Sequence, residues 1–341
     1  MQNTIVNLKN RIIDLKEKEE WENILRGLKY PLYFNYDYCY WMSRKLKKDI
    51  YLYEGNFDDK RVVAVFCKRI KYKNYVDIYT PNGYSGIITN FNIDSNPNIV
   101  DKVFEYFKEQ GFITYFAMQH PLFKLSNNIE KWNDTIYEYR DLYVIDLNLD
   151  LKQLWENISK TYRYEIRKNE KLIKIIRKKD NDMIDILKSL YDMTIKRVKA
   201  NDIYYYSKDD FKEMLKINNV EIIAVLLKNK IKAISVFIYD NDIAEYFINA
   251  AEEDGKTFTK NIIWEAIKIF KENGLKYINL GGGIKDNDGL SFFKKHIGGK
   301  EIRNQVIRKV IDDNKYKELC EKFDVKYKDS GYFPPYWYKN E

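Results

Sequence analysis

The sequence predicts a mixed α/β (α+β) chain of two tandem domains, each a mainly antiparallel sheet flanked by helices. Three observations carry that prediction. The 341 residues exceed the ~100–200 of an ordinary domain, and 45% of them are apolar, enough for two cores. Apolar residues at helical spacing alternate along the chain with short runs of β-branched and aromatic residues. Finally, two amphipathic patterns stop at Gly111 and Gly274, and each is followed by an apolar run, the punctuation of a helix leading into a strand.

In chain order, Trp21, Ile24, Leu25 and Leu28 fall at helical spacing over residues 18–28, and a second helix covers 36–46. Strands at 51–54 and 61–70 flank Gly55-Asn56-Phe57-Asp58-Asp59, a hairpin signal, and another strand follows at 75–79. The loop Thr80-Pro81-Asn82-Gly83-Tyr84-Ser85-Gly86 comes next. Residues 98–110 place Val100, Val103, Phe104 and Phe107 on one helix face, and 112–118 form a strand. A β stretch at 135–147 leads to Asp150, an acidic cap for the helix holding Trp155. The domain boundary is placed near Asn148.

Beyond it the pattern gives a strand at 172–177, helices at 181–199 and 208–216, and three strands at 220–227, 231–239 and 243–249 that read as antiparallel. A helix at 259–273 carries Ile263, Ala266, Ile267 and Phe270 as its buried stripe, and a strand at 277–280 runs into Gly281, Gly282 and Gly283. A short helix at 289–296, a strand at 301–311 and a helix at 314–323 complete the order β-α-α-β-β-β-α-β-α-β-α. The first half shows a shorter version of the same succession. No sequence repeat is visible, so duplication rests on element order alone.

Composition narrows the chemistry. A net charge of +8, from 59 basic and 51 acidic residues, favours anionic partners or simply solvates the surface. Cys39, Cys67 and Cys320 are odd in number and far apart, which fits reduced thiols and no disulfide framework. His120 and His296 are the only histidines. That excludes a His-rich metal centre; no metal site is assigned, and a carboxylate-only magnesium site stays open. No stretch reaches the ~18 uninterrupted apolar residues of a membrane span, and Lys9, Arg11 and Asp14 stand where a signal peptide needs its apolar run. The expectation is a cytoplasmic protein.

The most informative segment is LGGGIKDNDGLSFFKKHIGG, residues 280–299. It joins a strand, the glycine run and a short helix. Glycines accept positive φ and let a substrate approach the backbone, while N–H groups at a helix start attract an anion or a developing oxyanion. The run is neither GxxxxGK[ST] nor GxGxxG, which disfavours NTPase and dehydrogenase chemistry. A plain turn is the alternative. A second segment, ISKTYRYEIRKNEK at 158–171, repeats Lys160, Arg163, Arg167 and Lys171 at helical spacing. Guanidinium forks on such a face suit phosphate; the alternative is a solvated helix.

Strand, glycine run, Asp288-Gly289-Leu290, then Phe293-Lys294 and Gly298 resembles the C-terminal motif of FemAB-type aminoacyltransferases and their GNAT-like relatives. That family adds amino acids or acyl groups to amines. The element order likewise resembles a GNAT acyltransferase domain. The resemblance implies two tandem GNAT-like domains: residues 1–148 for the acceptor substrate, 149–325 with the catalytic cleft, and an aromatic tail at 326–341. The tail's Tyr332-Phe333-Pro334-Pro335-Tyr336-Trp337-Tyr338 is expected to pack on a core.

The resemblance also assigns residues. Lys294 follows Phe293 as the family's lysine follows its phenylalanine, which implies stabilisation of the tetrahedral intermediate. A fixed cation suits that role, because amine attack on an ester or thioester puts negative charge on the carbonyl oxygen. The alternative for Lys294 is a surface cation. Asp288 is a candidate acceptor of the amine proton and equally a helix cap; deprotonation by the substrate is a third route. An Arg followed by Ile-Arg-Lys stands between the two domains of FemAB-like proteins, so Arg163, Arg167 and Lys168 are assigned to substrate binding, together with Gly281, Gly282 and Gly283. The loop at 80–86 resembles a Pro-x-Gly-Tyr-x-Gly loop of these relatives. Tyr84 becomes a platform for a base or sugar, against a glycine-rich connection.

Asn249 ends a strand just before the helix where an acetyl-CoA-dependent GNAT carries its pyrophosphate loop, and it is assigned to substrate binding as well. That loop is missing. Glu252-Glu253-Asp254-Gly255-Lys256-Thr257 has one glycine and three carboxylates, a poor seat for a pyrophosphate, which favours aminoacyl-tRNA as donor. Many FemAB proteins also insert a long helical arm, for which the connection at 200–207 is too short, although arm-less members exist. No cofactor is expected beyond the donor, aminoacyl-tRNA or acyl-CoA. The expected activity is amide formation on an amine of a peptidoglycan precursor or nucleotide-linked amino sugar. Its rivals are an acyl-CoA-dependent N-acyltransferase of surface polysaccharide biosynthesis, and a degenerate GNAT module that binds tRNA or a nucleotide sugar without turnover.

Overall fold

The computed structural model describes residues 8–132, 134–199, 201–240, 242–283, 285, 288–327 and 331–340. Residues 284, 286 and 287 of the glycine segment, and residue 200 of the short connection, lie outside them. The chain forms two compact units, Met1–Tyr139 with Asn304–Glu341, and Arg140–Arg303.

The first unit opens with β1 (Leu8–Asp14), α1 (Lys18–Leu25), α2 (Tyr36–Leu46), β2 (Ile50–Phe57), β3 (Lys60–Ile70), β4 (Val76–Tyr79), β5 (Ile87–Thr89), α3 (Pro97–Glu109) and β6 (Phe112–Met118). β7 (Ile136–Asp146) carries the chain into the second unit. There follow α4 (Leu151–Asn157), α5 (Lys160–Glu170), β8 (Ile173–Arg177), α6 (Asn181–Val198), α7 (Lys208–Met214), β9 (Val220–Leu227), β10 (Lys230–Asp240), β11 (Ile243–Ala251), α8 (Thr259–Glu272), β12 (Tyr277–Gly282) and α9 (Gly289–His296). β13 (Lys300–Val310) returns to the first unit, which α10 (Asp313–Lys322) and the tail complete.

The succession β-α-α-β-β-β-α-β therefore occurs twice, from β1 to β6 and from β8 to β12, with the short β5 added in the first copy. Each copy holds one parallel pair in an otherwise antiparallel sheet: β4 with β6 across α3, and β11 with β12 across α8. A parallel pair needs such a crossover helix, and the buried faces are those the periodicity predicts. Val100, Val103, Phe104 and Phe107 enter the first core; Ile263, Ala266, Ile267 and Phe270 enter the second.

Three expectations are corrected. Gly55, Asn56 and Phe57 are not a turn but the end of β2, because β1, unread in the sequence, pairs with it from Leu8↔Phe57 to Asp14↔Tyr51. Gly281 and Gly282 likewise belong to β12, paired with Tyr143 and Leu142 of β7. The boundaries at 148 and 325 move to Arg140 and Arg303. The physical reason is an exchange of closing strands. β7 ends the first succession but pairs from Leu142 to Asp146 with β12, while β13 ends the second and pairs from Val306 to Val310 with β6. Apolar patterning marks a strand and its buried face but not its partner.

The tail packs on the first unit, with Tyr336 fully buried among Ile113, Tyr316, Leu319 and Cys320. Its anchor is Asp77, 1% exposed. That carboxylate accepts hydrogen bonds from Tyr336 Oη at 2.7 Å, Trp337 Nε1 at 2.8 Å and Thr114 Oγ1 at 2.6 Å. Burial raises the Asp77 pKa above the ordinary carboxylate value, and these three donors act against that rise.

Candidate active site

In the second unit the parallel ladder of β11 and β12 ends at Glu245↔Asn279. One residue later β12 shifts register against β7, between Asn279 and Gly281, a bulge that re-aims the strand. Two buried side chains hold this point. Asn279 Nδ2 donates to Glu245 Oε2 at 2.8 Å, and Asn279 Oδ1 accepts the Gly281 N–H at 2.9 Å. Gly281 adopts φ +68°, a conformation that explains why glycine stands there.

The next glycine serves α9. Gly282 presents its carbonyl to Lys294 Nζ, which donates to it at 2.7 Å. Gly283 has no room for a side chain, since a Cβ would strike Asp288 Oδ1 and Ser291 Oγ. Asp288 caps α9: Oδ1 accepts from Ser291 N at 2.8 Å and Oδ2 from Lys285 N at 3.1 Å. Both carboxylate oxygens are thus engaged, so a proton-accepting Asp288 would have to share its cap.

Lys294 is not a surface cation. It is 6% exposed, and burial pushes its ammonium down to about 7, against the opposite pull of Asp288. Near neutral pH the charged and neutral forms coexist.

The basic helix α5 starts beside the end of α9, with Ser159 N–H donating to His296 O at 2.9 Å. Tyr162 lies 5.9 Å from the Phe293 ring. Arg163 is half-buried, whereas Lys160, Arg167, Lys168 and Lys171 are exposed. The Arg167 guanidinium packs 5.2 Å from the Trp155 ring. Opposite this charged face α5 is fastened to α8: Asn169 Nδ2 donates to Asn261 Oδ1 at 3.0 Å, and Asn261 Nδ2 to Ile166 O at 3.0 Å. Lys260, 8% exposed, pairs with Glu165 and sits 4.7 Å from the Tyr162 ring.

Other assigned residues stand apart from Lys294 in their contacts. Asn249 accepts from Ser235 Oγ at 3.0 Å and Thr259 Oγ1 at 3.4 Å. Tyr84 belongs to the first unit, edge-on to Tyr33 at 5.7 Å. The acidic loop before α8 is neutralised by lysines of β10: Glu252 pairs with Lys230 at 2.7 Å and Lys232 at 2.6 Å, and Asp254 with Lys232 at 2.9 Å. The sequence reading missed Glu245, Asn279, Asn169, Asn261 and Lys260. Asn279 alone had a local signal, an Asn two residues before a glycine.

No family model matches the sequence, and no curated protein matches it. The architecture does have counterparts among solved structures. FemX superposes with a TM-score of 0.63 at 13% identity, over 91% of this chain and 99% of that chain. The chain has the fold of FemX. The C-terminal domain of a protein assigned as a lysylphosphatidylglycerol synthetase from Agrobacterium fabrum matches at TM-score 0.57 and 12% identity, over 86% of this chain and 92% of that one. A conserved protein of unknown function from Bacteroides thetaiotaomicron gives 0.55 and 12%, over 90% and 100%. The expected tandem α/β architecture is thus that of FemX and of these two proteins.

Proposed function

We propose that this protein is an aminoacyl- or acyltransferase that forms an amide on an amine of a cell-wall precursor or nucleotide-linked amino sugar. The observation that carries the reading is Lys294: a buried ammonium held by the Gly282 carbonyl where a bulged strand meets a capped helix. A cation so placed is preorganised to meet charge that develops on a reacting carbonyl oxygen, and a low-dielectric setting strengthens its effect. The acceptor amine adds to the carbonyl carbon of the donor ester or thioester, the oxyanion takes a hydrogen bond from Lys294, and collapse expels the alcohol or thiol, which leaves with a proton that the amine has lost.

The FemX fold agrees with this chemistry. Arg163, Arg167 and Lys168 are proposed to hold substrate phosphate. Aminoacyl-tRNA is the preferred donor, supported by the acidic, lysine-paired loop before α8, which offers no free seat for a pyrophosphate. The reaction is proposed for the cytoplasm; among the described residues no helix is long and apolar enough to cross a membrane.

The test is transfer from radiolabelled aminoacyl-tRNA and acyl-CoA to amine acceptors by the wild-type protein and by Lys294→Ala. Transfer lost in the variant with substrate binding retained supports the assignment. Unchanged turnover removes Lys294 from the mechanism, and binding without turnover by the wild type favours the non-catalytic module.

A further inference from the structure

The first unit contains a cavity of about 620 Å³ that no part of the proposed transfer chemistry uses. We propose that it binds a neutral saccharide. The volume lies within the ~300–1,000 Å³ typical of small-molecule sites. Its walls are aromatic, with Tyr137, Tyr139, Tyr316, Tyr327 and Phe333 among them. All but Tyr316 are half-buried, so parts of these side chains reach solvent.

The wall is built rather than incidental. Tyr316 packs edge-on to Tyr327 at 5.3 Å and stacks on Phe333 at 6.2 Å. The Tyr327 hydroxyl is fixed by Asp313. Phe333 belongs to the tail, which Tyr336 and Trp337 anchor by donating to the buried Asp77 carboxylate. Such a wall has already lost the rotamer freedom that a ligand would otherwise have to remove.

Charge selects the class of ligand. The lining includes two carboxylates, Asp134 and Glu138, and two cations, Arg308 and Lys309. With no net charge it favours neither a phosphate nor an amine. It does supply acceptors and donors for hydroxyl groups, beside aromatic rings of the kind that pack on the C–H face of a pyranose. The Arg308 guanidinium lies 5.9 Å from the Tyr137 ring, so the polar and aromatic groups converge. This inference does not depend on the role of Lys294, and neither result decides the other.

The experiment is ligand-observed NMR and calorimetry on the full chain with glucose, N-acetylglucosamine and cellobiose, and in parallel with UMP and inorganic phosphate. A saccharide should bind with a Kd no weaker than about 10 mM, and Tyr137→Ala should weaken it about tenfold. Glu138→Gln, an exposed change that leaves the packing alone, should weaken it about threefold. Saccharide binding that neither variant alters would place the ligand elsewhere and overturn the proposal. So would preference for UMP or phosphate, or absence of saccharide binding at that concentration.

Discussion

Lys294 and Gly282 are joined across the start of α9 by a 2.7 Å hydrogen bond from a nearly buried ammonium to a strand carbonyl. That bond makes the position of the cation a property of β12, and the bulge of β12 is in turn held by Asn279 and Glu245.

Replacing Lys294 with Ala should lower kcat by about 10²–10³, the usual loss for one oxyanion donor. The KM for the acceptor should stay within a factor of about three, since a group acting only in the transition state contributes little to ground-state binding. Steady-state kinetics with the active donor checks both.

The same residue predicts a pH-dependent stability. Its folded pKa, about 7, lies below its ordinary value, so between the two the unfolded chain binds more protons and stability rises with pH. The cost of burying the ammonium is fully present below about pH 7. Lys294→Met removes it, and melting scans should show the variant gaining on the parent by on the order of a few kcal/mol at about pH 6, with the gain fading toward pH 10. A difference independent of pH would point to packing alone.

Asn279→Ala should leave the Glu245 carboxylate and the Gly281 N–H without this partner, at a cost of about 1–3 kcal/mol. Denaturant midpoints measure it. Transfer should fall by more than the stability loss explains, through kcat rather than KM, because the strand that holds Gly282 is released.

Arg163→Ala with Arg167→Ala should weaken binding of tRNA or a nucleotide-linked acceptor and make the salt dependence of log K shallower by about two phosphate contacts. Titrations at several salt concentrations decide it. An unchanged isotherm returns both side chains to a solvated face.

Asp77→Ala should release the tail. Three donors lose their common acceptor, a loss on the order of 2–4 kcal/mol, and Trp337 fluorescence should shift toward that of an exposed indole.

Much of this was legible in the sequence because the signals are local. Asp150 and Asp288 cap the helices at which a cap was expected, and the apolar stripes of α3 and α8 face their cores. What stayed hidden depends on partners distant in the chain. β1 reads as an ordinary charged segment until β2 lies beside it. Asn169 and Asn261 are unremarkable polar residues until two helices bring their amides within 3.0 Å. Lys294 was picked out by its place after Phe293, but its burial, and hence its lowered pKa, comes from packing that no spacing rule describes.

The exchange of closing strands has a consequence for synthesis. Residues of β6 leave the ribosome well before those of β13, yet β6 must wait for β13 to cover its edge. Until then the edge of β6 is open to pairing with another chain. The first unit cannot finish folding until the whole of the second has been made, and a chain that stops before β13 would have a sheet missing a strand rather than one domain intact.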